Sequence, residues 1–576
     1  MIDTRTTMND WGKRGTGKRA RPLHTALLAA LLGHSALGCS LALAEDGADI
    51  SGVTAQDLLK LLVDEGVIDK EKLHALAEKV QARQRAAAGQ TAAAEAKPAE
   101  APGTVRVAYV PAFVRDQIRD EVRIGLKEDV SRDVMAQAKQ ERWGLPGALP
   151  DWIGRIKWYG DMRVREESIF YGSGNVQGDY LDVAHVNAVG GLDPNDPNVL
   201  LNTTENRNRL RARLRLGLVA KVNERFEVGA RIVSGDQNDP VSTNQTLGNY
   251  DRKWQTSFDL GYLKYTSLDK SLTLAGGRFD NPFFSTDLVW DSDLTFEGVA
   301  ASWWPLRSDS LNDMFRAFDP FITAGAFPIR EVEFSSKDRW LFGTQVGFQY
   351  DWSNQNRLRT ALSYYRYTNI VGKYSLIPGD HEYDYTAPLY LQKGNTLFSI
   401  VADDPDTLKE EWLFANASDY KLINFFAQYD IARFAPLHVL LTLDYVKNIG
   451  FDKRAVSERV GFPIDAQTDG YQFSVAVGWP VIAKARDWQL AFTYRYLERD
   501  AVLAAFTDSD FHQGGTDAKG YELKFDYGIA DNTWITLRWL SSNEIDGDNY
   551  PDHFGLSGGS GRLGIDTLQL DVNAKF

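Results

Sequence analysis

The main pattern in this chain is an alternation of apolar and polar residues with a period of two, which begins after Pro150 and continues to the end. Near its start, Trp158 and Val164 share one face, whereas Arg163 and Arg165 share the other. Successive side chains of a β-strand point to opposite sides, so this pattern predicts strands. A half-buried sheet of a water-soluble protein alternates in the same way, so alternation alone does not identify the class of protein.

The spacing of the turns is more informative than the alternation. About 16 strands are predicted, and their connections alternate between short turns and long polar loops, as in single-chain outer-membrane barrels. The short turns fall near 223–224, 268–269, 353–354, 433–434, 481–486 and 531–532, with a longer one at 305–317. The long loops cover about 169–205, 237–252, 281–292, 328–338, 370–419, 449–467, 500–517 and 545–561. A compact soluble domain rarely carries so many long loops. The pattern therefore predicts an all-β transmembrane β-barrel of about 16 antiparallel strands over residues 153–576.

The last strand carries the sharpest local signal. Leu568, Leu570 and Val572 share a face with the terminal Phe576, and polar residues occupy the positions between them. An outward aromatic residue at the end of the chain resembles the C-terminal signature that the barrel assembly machinery of outer membranes reads. Phe576 is therefore the predicted assembly signal, and the alternative is a chance Phe on an edge strand.

The residues before the barrel have a different composition. A basic segment, a short apolar run and the small residues around Ala44 predict a signal peptide over 1–44, with Met1 or Met8 as the start. Cys39, the single cysteine, lies in a poor match to a lipoprotein box, so cleavage before Glu45 is favoured over lipidation. The remaining segments are a short helical hairpin (45–85), an Ala/Gln/Pro-rich linker (86–105) and a charged helix (106–152). We expect this helical extension in the periplasm, where the charged helix is either a solvated spacer or an oligomerising stalk.

Charge and hydropathy exclude two other classes. The net charge of −14 argues against a nucleic-acid partner, which would require an excess of Lys and Arg. The mean hydropathy of −0.34 excludes a bundle of membrane helices, because each helix needs about 20 consecutive apolar residues. Membrane β-strands alternate and therefore average to neutral hydropathy.

One strand carries an unusual row of charge. Arginines occupy every second position of the second predicted strand, and leucines or alanine occupy the opposite face. We call this set the arginine row: Arg207, Arg209, Arg211, Arg213 and Arg215. An arginine facing lipid at the bilayer midplane costs about 2–4 kcal/mol, so the row is expected to face the lumen. Arg163, Arg165 and Arg231 are its predicted neighbours. The row is either an electropositive track for anions or a basic wall paired with loop acids.

The longest loop, 370–419, is the candidate to fold inward and narrow the pore. Its predicted constriction acids are Asp403, Asp404, Asp406, Glu410 and Glu411. A basic wall facing an acidic loop would create a transverse field that orients dipolar solutes. The sequence does not establish that this loop, rather than another, enters the lumen.

Signals for catalysis or metal binding are weak. The predicted barrel contains five histidines, of which we place only His438 within a strand, and no Ser/His/acid arrangement can be argued from them. The acidic turns 291–293 and 508–510, the latter near His512, could bind a divalent cation through oxygen ligands, but solvated turns are favoured. No cofactor, metal site or catalytic residue is therefore predicted. An outer-membrane hydrolase would need an outward-facing Ser/His pair near the extracellular rim.

Several segments resemble the putative porin family of Gram-negative outer membranes. The segments are 143–152, 277–283, 287–291, 444–448 and 494–520, and the similarity extends over essentially the whole mature chain. This resemblance implies a water-filled channel for passive diffusion of small hydrophilic solutes or ions. The expected partners are outer-membrane lipid and lipopolysaccharide, together with the barrel assembly machinery that would read Phe576. Trimers are usual for wide porins of about this strand number, but the sequence identifies no interface, so the oligomeric state is left open. The alternatives are the barrel hydrolase and a surface structural or adhesive barrel, and the family resemblance fixes no substrate.

Overall fold

The structure is a computed structural model that describes residues 155–576 except 179, 194, 308–316, 334–335, 354, 379, 403–411 and 547–562. The predicted signal peptide, helical hairpin, linker and charged helix all lie outside the described residues. No helix in the described part of the chain is long and apolar enough to cross a membrane.

The described residues form nineteen β-strands and two α-helices, apart from short 3₁₀ turns. The first strands are β1 (Ile156–Tyr171), β2 (Arg207–Lys221), β3 (Phe226–Ser234), β4 (Gln245–Thr246), β5 (Thr256–Thr266), β6 (Leu272–Asp280) and β7 (Thr295–Trp303). The next are β8 (Phe318–Arg330), β9 (Arg339–Asp351), β10 (Arg357–Thr368), β11 (Leu397–Ser399), β12 (Phe414–Asn416) and β13 (Lys421–Ile431). The last are β14 (His438–Asn448), β15 (Asp469–Gly478), β16 (Trp488–Leu497), β17 (Ala518–Ala530), β18 (Thr533–Glu544) and β19 (Gly564–Lys575). The helices α1 (Val183–Val189) and α2 (Lys453–Val460) lie in long loops.

Sixteen of the described strands form a closed antiparallel barrel. Each strand pairs with its neighbour in the chain, and β1 pairs with both β2 and β19, which closes the ring. The short β4 adds to the edge of β2, and β11 and β12 form a separate hairpin. At the seam, Gly160 and Phe576 exchange both backbone hydrogen bonds, at 2.9 and 3.0 Å. Closure leaves no open strand edge, as a bilayer requires.

The predicted pattern of turns is confirmed. Connections of two to fourteen residues join the strands at the end that also holds residue 155 and Phe576, for example 531–532 between β17 and β18. The long loops connect the strands at the opposite end of the barrel, and the longest runs between β10 and β13.

The predicted inward and outward faces are also confirmed. On β19, Leu568 and Val572 are 40% and 47% exposed, whereas the intervening Gln569 and Asp571 are buried. Burial of polar residues with exposure of apolar ones is the reverse of a soluble sheet, and it is the arrangement of a barrel with a polar interior and an apolar belt for lipid. Trp158, 65% exposed, lies on the same outer belt.

An apolar core lies inside the barrel. It joins inward residues of β6 to β10 to a loop that follows β6, and Phe283 and Trp290 of this loop both contact Tyr365 edge-on, at 5.2 and 5.1 Å between ring centroids. Phe296 and Phe327 complete this aromatic cluster. The core fixes the loop against one side of the barrel wall.

Candidate functional site in the barrel interior

The arginine row lies on the inner face of β2. Leu210 and Leu214, on the opposite face, are 51% and 40% exposed on the outer surface. Arg211 and Arg213 are largely covered, with side chains 12% and 14% exposed. The orientation follows from the period of two, because leucines that face lipid place the intervening arginines in the lumen.

Carboxylates of the neighbouring strand pair with the row. The β1–β2 register sets Glu167 opposite Arg209 and Asp161 opposite Arg215. Glu167 accepts a hydrogen bond from Arg209, and Asp161 accepts from Arg215 at 2.8 Å and from Arg213 at 3.0 Å. Opposite charges in adjacent strands thus hold the row in place.

The same register also sets arginines of β1 directly opposite arginines of β2. Arg165 lies opposite Arg211, but its guanidinium turns toward β19, where it forms two hydrogen bonds to Asp571 at 2.7 and 3.0 Å. Arg163 lies opposite Arg213 and approaches Asp571 at 3.9 Å. These contacts relieve the repulsion between the paired arginines.

Carboxylates from more than one source screen the arginine row. β2 itself has no acid on its arginine face, and the sequence left open an anion track or pairing with loop acids. Loop carboxylates do contribute, since Asp293 lies 3.5 Å from Arg213 and 3.3 Å from Arg215. Carboxylates of the neighbouring strands contribute as well, which a single strand cannot reveal.

The two ends of the predicted basic wall differ. On β3, Arg231 forms a bidentate pair with Asp259, with a shortest distance of 2.6 Å. Arg207, at the long-loop end, is exposed and has no ion pair to any described residue. The row thus runs from an unpaired cation at the barrel mouth to fully paired ones deeper in the lumen.

Two long loops fold into the lumen, and we call them the inner loop pair: 281–294, between β6 and β7, and 498–517, between β16 and β17. The first reaches both sides of the barrel. Thr286 donates to Asp444 of β14 at 2.8 Å, whereas Asp293 lies against the arginines of β2. In the ring of sixteen strands β14 and β2 are almost opposite, so this loop spans the lumen.

The second inner loop is bound to three strands on its own side of the barrel. Asp510 accepts hydrogen bonds from Arg165 of β1 at 2.9 Å and from Arg538 of β18 at 2.8 Å. Asp508 accepts from Arg495 of β16 at 2.8 Å. Charges on the barrel wall therefore anchor the loop from two directions.

Hydrogen bonds join the two inner loops to each other. The Thr507 hydroxyl lies 3.1 Å from the Asp287 carbonyl oxygen and 3.0 Å from that of Leu288. The Ser509 backbone N–H donates to the Asp291 carboxylate at 2.8 Å. The pair thus acts as one partition across the barrel.

Burial and neighbouring charges shift the pKa values of the loop carboxylates in opposite directions. Burial, together with nearby Asp508, raises the pKa of Asp287 to about 7, and the same two causes raise the pKa of Asp291. Burial would also raise the pKa of Asp293, but Arg213 and Arg215 outweigh it and hold this pKa below its ordinary value. The partition therefore contains carboxylates with raised pKa values, of which Asp287 protonates near neutral pH, beside Asp293, whose pKa is lowered.

The structure does not test the acids that were predicted to constrict the pore. Asp403, Asp404, Asp406, Glu410 and Glu411 lie outside the described residues. The described part of their loop packs against the second inner loop, where Gln392 donates to the carbonyl oxygens of Ala504 and Thr507. In the described structure the inner loop pair crosses the lumen, and the constriction of the pore by 370–419 stays a prediction.

The interpretation of the two acidic turns as solvated is wrong. Asp291 is 6% exposed and Asp508 is 5% exposed, because both turns belong to the inner loops rather than to the outer surface. The described residues contain no group of three or more His, Cys, Asp or Glu side chains arranged to hold a metal ion.

A Ser/His contact does occur, but it faces inward. His512 Nδ1 lies 3.0 Å from the Ser542 hydroxyl, and the two residues are 3% and 2% exposed. Ser542 in turn donates to the carbonyl oxygen of Ile565 at 3.1 Å. Burial and Lys393 lower the pKa of His512 well below its ordinary value. The contact therefore joins a loop to the wall and lacks the outward position that a rim hydrolase requires.

Sequence reasoning missed five charged residues of the interior. They are Glu167, Asp259, Arg495, Arg538 and Asp571. Each lies at an inward position of its strand, so the period-two pattern could have identified its face. The partners could not be found this way, because pairing depends on the register between strands and on loop paths.

Comparison with protein families gives one match that decides the family. The family is described as "Putative porin", and the match covers residues 53–576. The chain belongs to the putative porin family. This membership agrees with the closed sixteen-stranded barrel and with the polar interior, and it places the porin in the outer membrane. Comparison with curated proteins gives no match.

Solved structures similar to this porin include three outer-membrane barrels. OprB of Pseudomonas putida at high pH is 11% identical, with 73% of this chain and 94% of that chain covered and a TM-score of 0.40. OmpF of Salmonella typhi in complex with daunomycin is 10% identical, with 73% and 97% covered and a TM-score of 0.37. The outer membrane channel DcaP of Acinetobacter baumannii is 11% identical, with 73% and 97% covered and a TM-score of 0.36. At these identities no residue role or solute is transferred to this porin.

Proposed function

We propose that this porin is a water-filled channel for passive diffusion of small hydrophilic solutes and that the arginine row makes it favour anions. The observation that carries the proposal is the inward arginine row facing the acids of the inner loop pair. Opposed rows of charge in a narrow, low-dielectric passage create a transverse field, which aligns solutes that carry a dipole.

Access to the row supports the anion preference. A cavity of about 290 Å³ at the long-loop end is lined by Arg209, Arg211 and Lys393. A guanidinium carries five N–H donors, so the carboxylate contacts of Arg209 and Arg211 leave further donors on these cavity-lining side chains. These donors are suited to a passing anion.

The experiment replaces Arg211 and Arg213 by Ser and measures the zero-current potential across a planar bilayer in a KCl gradient. We expect the potential to shift toward cation preference, because Glu167, Asp161 and Asp293 would then lose cationic partners. The matched control replaces Arg225 and Arg366, which are exposed outside the lumen, by Ser. An unchanged potential in a conducting Arg211→Ser/Arg213→Ser channel would show that the row does not line the ion path.

We also propose partners for this porin, each from a feature of the barrel surface. Phe576 is 65% exposed at the barrel seam, a position in which the barrel assembly machinery could read it before closure. The apolar outer belt is suited to outer-membrane lipid and to the faces of a homotrimer. We propose that the chain before residue 155 extends into the periplasm, because residue 155 lies at the short-turn end of the barrel. The two acidic turns give no support to lipopolysaccharide contact, because they lie inside the barrel.

A further inference from the structure

A cavity separate from the arginine row lies beside the inner loop pair at the long-loop end. Its volume is about 350 Å³, within the range of small-molecule sites. Its walls come from the ends of β6 to β9, from segment 388–391 and from residues 503–506. Its aromatic lining residues are Trp290, Phe296, Phe327, Tyr390 and Phe506. This lining is far more apolar than the wall beside the row.

Three arginines, Arg278, Arg330 and Arg339, line this cavity without an ion pair to a carboxylate of the described residues, and the last two bind a neighbouring loop. Arg339 is 3% exposed and donates to the carbonyl oxygen of Thr386, and half-buried Arg330 donates to that of Ala387 at 2.7 Å. In the described part of the chain, no carboxylate forms an ion pair with either arginine, whereas Arg209, Arg211, Arg213 and Arg215 of the row each have one. A buried charge without a counter-ion is unfavourable, so the site is suited to an anion supplied from outside.

The rest of the lining does not neutralise these charges. Glu297 is the acidic residue among the described lining residues, and it is exposed and lies opposite Arg278 in the β6–β7 register. Asn416 also lines the cavity, and its buried side-chain oxygen has no hydrogen-bond partner among the described residues. The cavity therefore offers surplus positive charge, one free acceptor and aromatic walls.

We propose that this cavity binds a small organic anion with a planar apolar body, such as an aromatic carboxylate. Arg330 and Arg339 would hold the carboxylate, and Trp290, Phe296 and Phe327 would pack against the ring. The competing interpretation is that the two arginines only tether residues 386–387 to the barrel rim. A neutral Gln could donate to the same carbonyl oxygens without burying charge, so tethering does not explain the two cations. The proposal rests on the channel function, because it names a solute class that would enter the channel.

The test uses the full mature chain refolded in detergent, with benzoate as the probe and isothermal titration calorimetry as the measurement. We expect benzoate to bind, acetate to bind more weakly because it lacks a ring, and benzyl alcohol more weakly because it lacks charge. Arg330→Gln and Arg339→Gln should each weaken benzoate binding about tenfold or more, since each removes a charge-assisted hydrogen bond. Arg366→Gln is the matched control, because Arg366 lies exposed on the outer face of β10.

The outcomes separate the site from the channel. No benzoate binding by the wild-type protein, or equal affinity in Arg330→Gln and Arg339→Gln, would overturn the proposal. If Arg339→Gln fails to fold, as judged by heat modifiability on gels, Arg330→Gln decides alone. Conductance in KCl without benzoate binding would leave the channel intact and remove the site. Binding without conductance would retain the site and contradict the channel function.

Discussion

Glu167 illustrates how neighbours decide the chemistry of a single residue in this porin. It is 1% exposed, accepts from Arg209, lies 3.6 Å from Arg211 and accepts from Gln569 at 3.0 Å. These contacts hold the side chain in place against the arginine row, where it pairs with part of the row's charge. The free cations of the wall are therefore fewer than the number of arginines on β2 suggests.

Asp287 gives a prediction about pH. Its pKa in the folded protein is raised to about 7, so between about pH 4 and pH 7 the folded state holds a proton that the unfolded chain releases. This contribution to stability is full below about pH 4 and is lost progressively as pH rises from there through 7. We expect the unfolding temperature, measured by heat modifiability on gels, to fall between pH 5.5 and pH 8.5.

The variant Asp287→Asn should show a smaller fall than the wild type, because its amide cannot lose a proton. Asp251→Asn is the control, since Asp251 is exposed in a loop and has a positive φ that Asn tolerates. Asp293 and Asp510 have lowered pKa values and titrate below this range, whereas Asp291 has a raised pKa, so Asp287→Asn should reduce the fall without abolishing it. Equal falls in Asp287→Asn and the wild type would contradict this assignment.

At the scale of elements, the inner loop pair matters more than any one strand. Each loop binds the wall through its own charges, and the two loops join through Thr507 and Ser509. The junction crosses the lumen, so its strength should control the width of the passage.

Thr507→Val tests the junction. Thr507 is fully buried and its hydroxyl contacts two carbonyl oxygens, so an isosteric Val leaves acceptors unpaired at a cost of about 1–3 kcal/mol. We expect higher single-channel conductance and more open-channel noise. The control is Thr533→Val, whose hydroxyl contacts only the Asp531 carbonyl of its own turn, at 3.2 Å. Unchanged conductance and noise in a folded Thr507→Val channel would show that the junction does not control the passage.

At the scale of the whole molecule, the barrel is closed by strands that lie within the described residues. All sixteen barrel strands pair on both sides, and the seam is formed by β1, β19 and Phe576. A closed ring of backbone hydrogen bonds satisfies its own polar groups in a bilayer.

A chain that begins at Gly154 should therefore still give a heat-modifiable, protease-resistant barrel in detergent. The comparison is the mature chain that begins at Glu45, assayed by gel mobility and by light scattering for the oligomer. Failure of the shortened chain to fold would show that residues 45–152 belong to the barrel. Loss of the oligomer alone would assign those residues to an oligomerising stalk.

The sequence alone determined the class of fold, the number of strands, the positions of the turns and the face of each strand. These features are local: a period of two sets the face of Leu570 or Arg211 within its own strand, and turn residues mark where a strand ends. The lipid solvent strengthens the signal, because a charged residue on the outer face is costly. The inward position of the arginine row was predictable for this reason.

Only the tertiary structure decided which charges meet and which loops enter the lumen. Arg165 and Asp571 are 406 residues apart in the chain, and their contact exists only because closure places β1 beside β19. The path of loop 281–294 depends on the aromatic cluster beneath it and on Asp444 across the barrel. Loop length alone favoured 370–419 as the loop that narrows the pore. Packing against distant strands, which length does not encode, selects the loops that cross the pore.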